Sequence, residues 1–188
     1  MDTASIQFVL FGLAAAAVSN FSQPRWWRSS VLFCASLILL ILLMPSPAAL
    51  IPLLGFLLLG YGFISAGYRG WKISALCGVL SIVLAYAWLK KYTFLPEATF
   101  LHFTYFTLGL SYIFFRVLHL IVEPPTQTPE HKFNFASYLL YTLNFTTLVS
   151  GPIQRYEDFA HDLFAAQPLP LNASIIGLQI ERIVRGFF

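Results

Sequence analysis

The stretch Leu108-Gly-Leu-Ser-Tyr-Ile-Phe-Phe-Arg-Val-Leu-His119 lies inside a longer, mostly apolar run from Thr99 to Val122. A charge in the hydrocarbon of a bilayer costs a few kcal/mol even on lenient insertion scales, so Arg116 must face a partner, a cavity or a bound ligand. At 3.6 residues per turn, a helix over this run brings His102, Tyr105, Gly109, Tyr112, Arg116, His119 and Glu123 into a sector roughly 100° wide. The other faces are Phe, Leu, Ile and Val. The pattern predicts a membrane-embedded helix with one polar side.

Similar runs flank it. Ser5–Phe21, Ser29–Met44, Ala48–Tyr68 and Ile73–Leu89 precede it and Phe133–Ser150 follows, which makes about six spans at roughly 20 residues each. Of the 188 residues 58% are hydrophobic and 10% charged, whereas a soluble domain carries about 25% charged residues. The expected fold is therefore all-α: a polytopic transmembrane helical protein with a C-terminal amphipathic helix. That last helix, Ala173–Phe188, places Ile176, Ile180, Ile183 and Phe187 on one side and Glu181 four residues before Arg185. The change in character divides the chain into N-terminal transmembrane helices, 1–98, and polar-faced helices, 99–188. The pattern stops at Phe187-Phe188 without a Gly or Asn cap, as expected of a longer protein that has been cut or of a truncated reading frame.

Charge sets the topology. A signal peptide needs a cationic start, but Asp2 precedes the first run and Arg25 and Arg28 follow it. The positive-inside rule then puts the N-terminus outside and the first loop in the cytoplasm, and alternation adds Arg69 and Lys72 to the cytoplasmic side. Lys90 and Lys91 fall on the opposite side, so either a segment is re-entrant or the first loops carry the orientation. The net charge of +3 contains no block of like charges, which argues against a nucleic-acid surface. Cys34 and Cys77 sit in apolar runs and suggest neither disulfide nor metal. The chain holds no P-loop, dinucleotide fingerprint, zinc-protease motif or nucleophile elbow.

Asn134, Ser137, Tyr138, Tyr141 and Asn144 form a second polar sector on Phe133–Ser150, which ends at Gly151-Pro152, where the missing amide donor breaks a helix. A short polar stretch, Ile153 to Phe159, follows. Two facing polar stripes can enclose a tunnel. The alternative is that Arg116 snorkels or pairs with Glu123 and merely locks two helices together. His119 would act as a general base only with a reacting group in hydrogen-bond reach; otherwise its role, like that of His102, is structural. His161-Asp162 is an adjacent pair in a polar loop and receives no role.

Leu143-Asn-Phe-Thr-Thr-Leu-Val-Ser-Gly-Pro-Ile-Gln-Arg-Tyr-Glu-Asp-Phe159 resembles the Gly-Pro-Ile-x-Arg-Tyr/Phe segment of the bacterial membrane-bound O-acyltransferases. Leu108–His119 is similar to the Gly-x-Ser-Tyr/Phe helix that precedes it in that family, and Glu181–Phe188 resembles the amphipathic helix where the family's core continues. The resemblance is specific over Thr104–Phe188 and compositional before it. It implies a many-helix enzyme that moves an acyl group onto a hydroxyl, with an essential His on a later helix inside a tunnel. No position here matches that His, so no catalytic residue and no metal ligand is assigned, and the fragment alone is expected to be inactive. Gly151, Pro152 and Arg155 match motif positions, and Tyr112, Arg116 and His119 are tunnel-side candidates. The resemblance further implies an acyl-CoA or acyl-carrier-protein thioester as donor with no bound cofactor. It also implies a cell-envelope glycan or similar acceptor, an extracytoplasmic acyl-transfer partner protein, and a bacterial cytoplasmic membrane as location. A transporter or channel subunit and a non-catalytic membrane assembly partner are the rival readings, since polar-faced helices with Gly-Pro breaks also build permeation paths.

Overall fold

The computed structural model describes residues 6–22, 24–43, 48, 50–91, 109–126, 133–148 and 154–164, with positions 174, 177, 178 and 181. Among these the chain is helical throughout, with no strand. In order the helices are α1 (Ile6–Asn20), α2 (Arg25–Leu42), α3 (Leu50–Tyr68), α4 (Ser74–Leu89), α5 (Leu110–Val122), α6 (Phe135–Thr142) and α7 (Tyr156–Phe164). A 3-10 turn, Phe145–Thr147, separates α6 from α7.

α1 and α2 form one hairpin and α3 and α4 another; α5 packs on both α3 and α4, and α2 packs on α6, the 3-10 turn and α7. The second hairpin turns through Gly70, at φ 85°. Trp71 N–H donates to the Ala66 carbonyl and Gly70 N–H to that of Gly67, the pair of bonds that ends a helix in a left-handed residue. Pro52 is tolerated in α3 because it stands in the first turn, where its missing N–H would lack an intrahelical partner. α5 ends at Glu123 because Pro124 drives the preceding residue out of helical geometry, here to φ −125° and ψ 79°.

α5 is the most deeply packed element, with Leu110, Ile113, Val117 and Leu120 fully buried. Around it Leu53, Phe56, Leu57 and Ile64 of α3, Ile82 and Leu89 of α4, and Tyr138 and Tyr141 of α6 complete the core. Gly60 allows the closest approach: a Cβ there would strike Val117 and come within 2.8 Å of the Tyr138 hydroxyl. That hydroxyl donates to the Leu57 carbonyl at 2.9 Å and pins α6 to α3.

The outward faces are apolar. Leu37, Ile38 and Ile41 on α2 and Leu76, Leu80 and Leu84 on α4 are exposed, which in water would be a far larger apolar surface than monomers display. α2 and α3 are long and apolar enough to cross a membrane, whereas α1, α4 and α5 are apolar but shorter.

Three expectations about helices require correction. The run Thr99–Val122 is not one helix: α5 begins at Leu110, and Gly109 stands at φ 70°, where a right-handed helix cannot pass. Of the expected polar stripe α5 carries Tyr112, Arg116 and His119; His102 and Tyr105 fall outside the described residues. Phe133–Ser150 is likewise interrupted, since α6 has only 8 residues, about 12 Å of rise. His161-Asp162 does not lie in a loop, because Tyr156 opens α7, which runs to Phe164 and buries Tyr156 and Phe159. The turn at Pro45–Pro47 lies outside the described residues, as does nearly all of the C-terminal amphipathic segment, of which positions 174, 177, 178 and 181 are helical.

Candidate functional site

Arg116 is 2% exposed. One guanidinium nitrogen, Nη1, donates to the carbonyls of Tyr141 at 3.0 Å and Thr142 at 3.1 Å. The other, Nη2, donates to the Thr147 hydroxyl. The guanidinium also lies 5.7 Å from the centre of the Tyr141 ring, within cation–π range. Thr142 is the last residue of α6, whose final carbonyls have no helical donors and form the negative end of its dipole. The cation therefore caps α6 and ties it to the 3-10 turn. Its position fits the chemistry of a buried guanidinium, which persists only when hydrogen bonds replace water.

The same short segment explains the remaining polar residues of its sector. Asn134 and Ser137 form a reciprocal cap at the start of α6, with Ser137 N–H donating to Asn134 Oδ1 at 2.8 Å and Asn134 N–H to Ser137 Oγ at 3.0 Å. Asn144 Oδ1 accepts from the Thr146 N–H and hydroxyl, an Asx turn. The Tyr141 hydroxyl donates to the Gln154 carbonyl at 2.7 Å. Phe145 N–H donates to Ser36 Oγ at 3.1 Å, which accounts for a buried serine in the middle of α2.

One turn beyond Arg116, His119 opens onto a small cleft with Glu123, Pro125, Arg155, Tyr156 and Glu157. Its volume is about 10 Å³, the room of about one water molecule. His119 Nδ1 lies 3.7 Å from Glu123 Oε2, and the two side chains are 25% and 63% exposed. Glu157 and Asp158 occupy the first turn of α7, where carboxylates complement the helix dipole; Thr126 donates to Glu157 at 3.4 Å. Burial pushes the Tyr156 hydroxyl up to about 12, against a smaller lowering by its hydrogen bond with Ser137, so it remains a proton donor at neutral pH.

The structure thus brings Tyr112, Arg116 and His119 onto one side of α5 and sets Arg155 beside His119 in the cleft. Gly151 and Pro152 lie outside the described residues. Arg116 does not pair with Glu123, whose nearest ionic partner is His119. His161 and Asp162 sit exposed on α7, 3.4 Å apart. Sequence reasoning missed the oxygens that receive Arg116 and the carboxylates of the cleft. The available signal was Asn144 followed by Thr146 and Thr147, a turn pattern inside what otherwise reads as a helix.

The chain is 30% identical, over 192 residues, to the teichoic acid D-alanyltransferase of Lacticaseibacillus rhamnosus. The match takes in 96% of this chain and 45% of that relative, so the chain spans about half of its length. Similarity over so much of the chain includes the N-terminal helices, which looked only compositionally alike from sequence. No family model and no solved structure matches the chain.

Proposed function

We propose that this chain forms part of a membrane-embedded O-acyltransferase of the membrane-bound O-acyltransferase type. It would move an acyl group from an acyl-CoA or acyl-carrier-protein thioester to a hydroxyl of a cell-envelope glycan. The observation that carries the reading is the 30% identity to an acyltransferase across 96% of the chain; the buried cation and the outward apolar faces agree with it. In this reading about six hydrophobic segments lie in the bacterial cytoplasmic membrane, the N-terminus outside and Arg25, Arg28, Arg69 and Lys72 inside. Residues 1–98 serve as scaffold and residues 99–188 border the acyl-transfer passage, which an extracytoplasmic partner protein meets on its far side.

In such a reaction a general base takes the proton of the acceptor hydroxyl as its oxygen attacks the thioester carbonyl, and the thiolate leaves. None of the four histidines is assigned that task. Tyr112 and His119 are proposed as passage-side groups. Arg116 acts as a positioning residue: by holding the end of α6 and the 3-10 turn, it sets where the chain enters Gly151-Pro152 and Arg155.

The test is a chimera. Replacing the matched segment of the Lacticaseibacillus rhamnosus protein with this chain is expected to preserve D-alanyl ester formation on teichoic acid in membranes. Arg116→Leu in the chimera is expected to abolish it. A chimera that inserts normally and transfers nothing overturns the proposal.

A further inference from the structure

We infer that the α3–α4 turn seats one anionic phospholipid of the cytoplasmic leaflet, its phosphate at Arg69 and Lys72 and an acyl chain along the outer side of α4. The inference rests on the membrane reading above and adds a ligand to it.

The apolar half of this seat is a bounded stripe. Ile73, Leu76, Leu80 and Leu84 are all exposed, and at 3.6 residues per turn they fall within about 80° of one another. From Ile73 to Leu84 the stripe rises roughly 16 Å, and one leaflet of hydrocarbon is about 15 Å deep. Ala87, the next residue on this side of α4, is buried. The exposed stripe therefore has the length of one acyl chain and does not run the whole of α4.

The head of the stripe is cationic and aromatic. Ser74 N–H donates to the Trp71 carbonyl and Ile73 stands at φ −95° and ψ −1°, so the chain is already coiled before α4 begins. Lys72, four residues before Leu76, accordingly stands above it. Arg69 is exposed at the end of α3, three residues from Lys72 across Gly70. Between them Trp71, half-exposed, stacks on Phe63 with ring centres 6.2 Å apart, as indoles lie at a membrane interface.

Charge complementarity selects the occupant. Among the described residues no carboxylate comes within ion-pair distance of Arg69 or Lys72. Tyr68 donates to the Pro125 carbonyl and so brings the end of α5 to this level, but Glu123 there has His119 as its ionic partner. From residue 3 to residue 96 the sequence contains six Lys or Arg and no Asp or Glu. A phosphate that carries an acyl chain answers both the two cations and the stripe below them, whereas an acidic protein at the turn would meet the cations alone.

The whole chain is reconstituted in vesicles holding equal phosphatidylglycerol and phosphatidylcholine, and lipids retained on release are counted by native mass spectrometry. A phosphatidylglycerol adduct is expected to dominate and to survive excess inorganic phosphate, because hydrocarbon contributes to binding. Arg69→Gln and Lys72→Gln should each reduce the preference for phosphatidylglycerol about fivefold, whereas Arg25→Gln, the same loss of charge at another turn, leaves it unchanged. Leu76→Ala with Leu80→Ala should reduce retention of both lipids about fivefold, and Leu37→Ala with Ile38→Ala on α2 should not. Absence of a phosphatidylglycerol preference, displacement by free phosphate, an equal loss in Arg25→Gln, or equal retention by the two alanine pairs overturns the inference. So does a photocrosslink in native membranes from position 73 to a protein in place of lipid. Alkaline extraction separates the two claims: a chain that stays in the membrane without the adduct refutes the lipid seat alone, and a chain that is extracted refutes the membrane reading.

Discussion

Arg116 carries a charge into a packed helical core where its hydrogen-bond partners are the carbonyls of Tyr141 and Thr142 and the Thr147 hydroxyl, not a carboxylate. Hydrogen bonds to a charged group each contribute about 1.5–3 kcal/mol. Arg116→Leu is therefore expected to destabilise the protein by about 3 kcal/mol, read from denaturant unfolding in micelles. Arg116→Lys should recover only part of the loss, since an ammonium cannot present a planar fork to two carbonyls and a hydroxyl while lying on Tyr141. Equal stability of Arg116→Leu and the natural protein would refute the capping role. Gly60 offers a second test. An added methyl must displace Val117 and the Tyr138 hydroxyl, at a cost of about 1–3 kcal/mol. Gly60→Ala should cost less when combined with Tyr138→Phe, and strict additivity of the two changes would show that they do not meet. At this scale the sequence reveals that Arg116 needs a partner. It cannot reveal which, because every residue offers a carbonyl.

At the scale of elements, the turns depend on two left-handed glycines that differ in surroundings. Gly70 has open space around its Cβ position, so Gly70→Ala should cost only the conformational penalty, about 1 kcal/mol. Gly109 stands at φ 70° with the Leu148 carbonyl against its Cβ position, so Gly109→Ala should cost clearly more. A thermal-melting comparison decides it, and equal costs would refute the close contact. Gly109 also shows where sequence periodicity fails. His102, Tyr105, Tyr112, Arg116 and His119 do recur at helical spacing, but the count runs through a glycine whose backbone turns the wrong way. In α2, α3 and α4 no such conflict exists, and their extents follow the apolar runs closely. α6 was misread for a different reason: Asn134, Ser137 and Asn144 suit a polar helix face as well as they suit caps, and only the backbone at Leu143 and Asn144 distinguishes these uses. The Arg155–Tyr156 segment was legible as a motif but not as a helix, because α7 is short and its apolar contacts come from distant parts of the chain: α2, Phe133 and Tyr141.

At the scale of the molecule, a bilayer and water make opposite demands on the same apolar surface, and Cys34 reports which solvent is present. It lies near the middle of α2, an 18-residue helix about 27 Å long, and its side chain is on the outside. In water an exposed thiol reacts with maleimides. At the centre of a bilayer a sulfonated maleimide, being charged, cannot reach it. In a Cys77→Ser background, intact vesicles should therefore show almost no labelling of Cys34 by a sulfonated maleimide, and complete labelling after dissolution in dodecyl sulfate. Retained trypsin resistance of α2 in the same vesicles excludes misfolding as the cause of protection. Fast labelling in intact vesicles would place α2 in water, and the scaffold assigned to the N-terminal helices would fail with it.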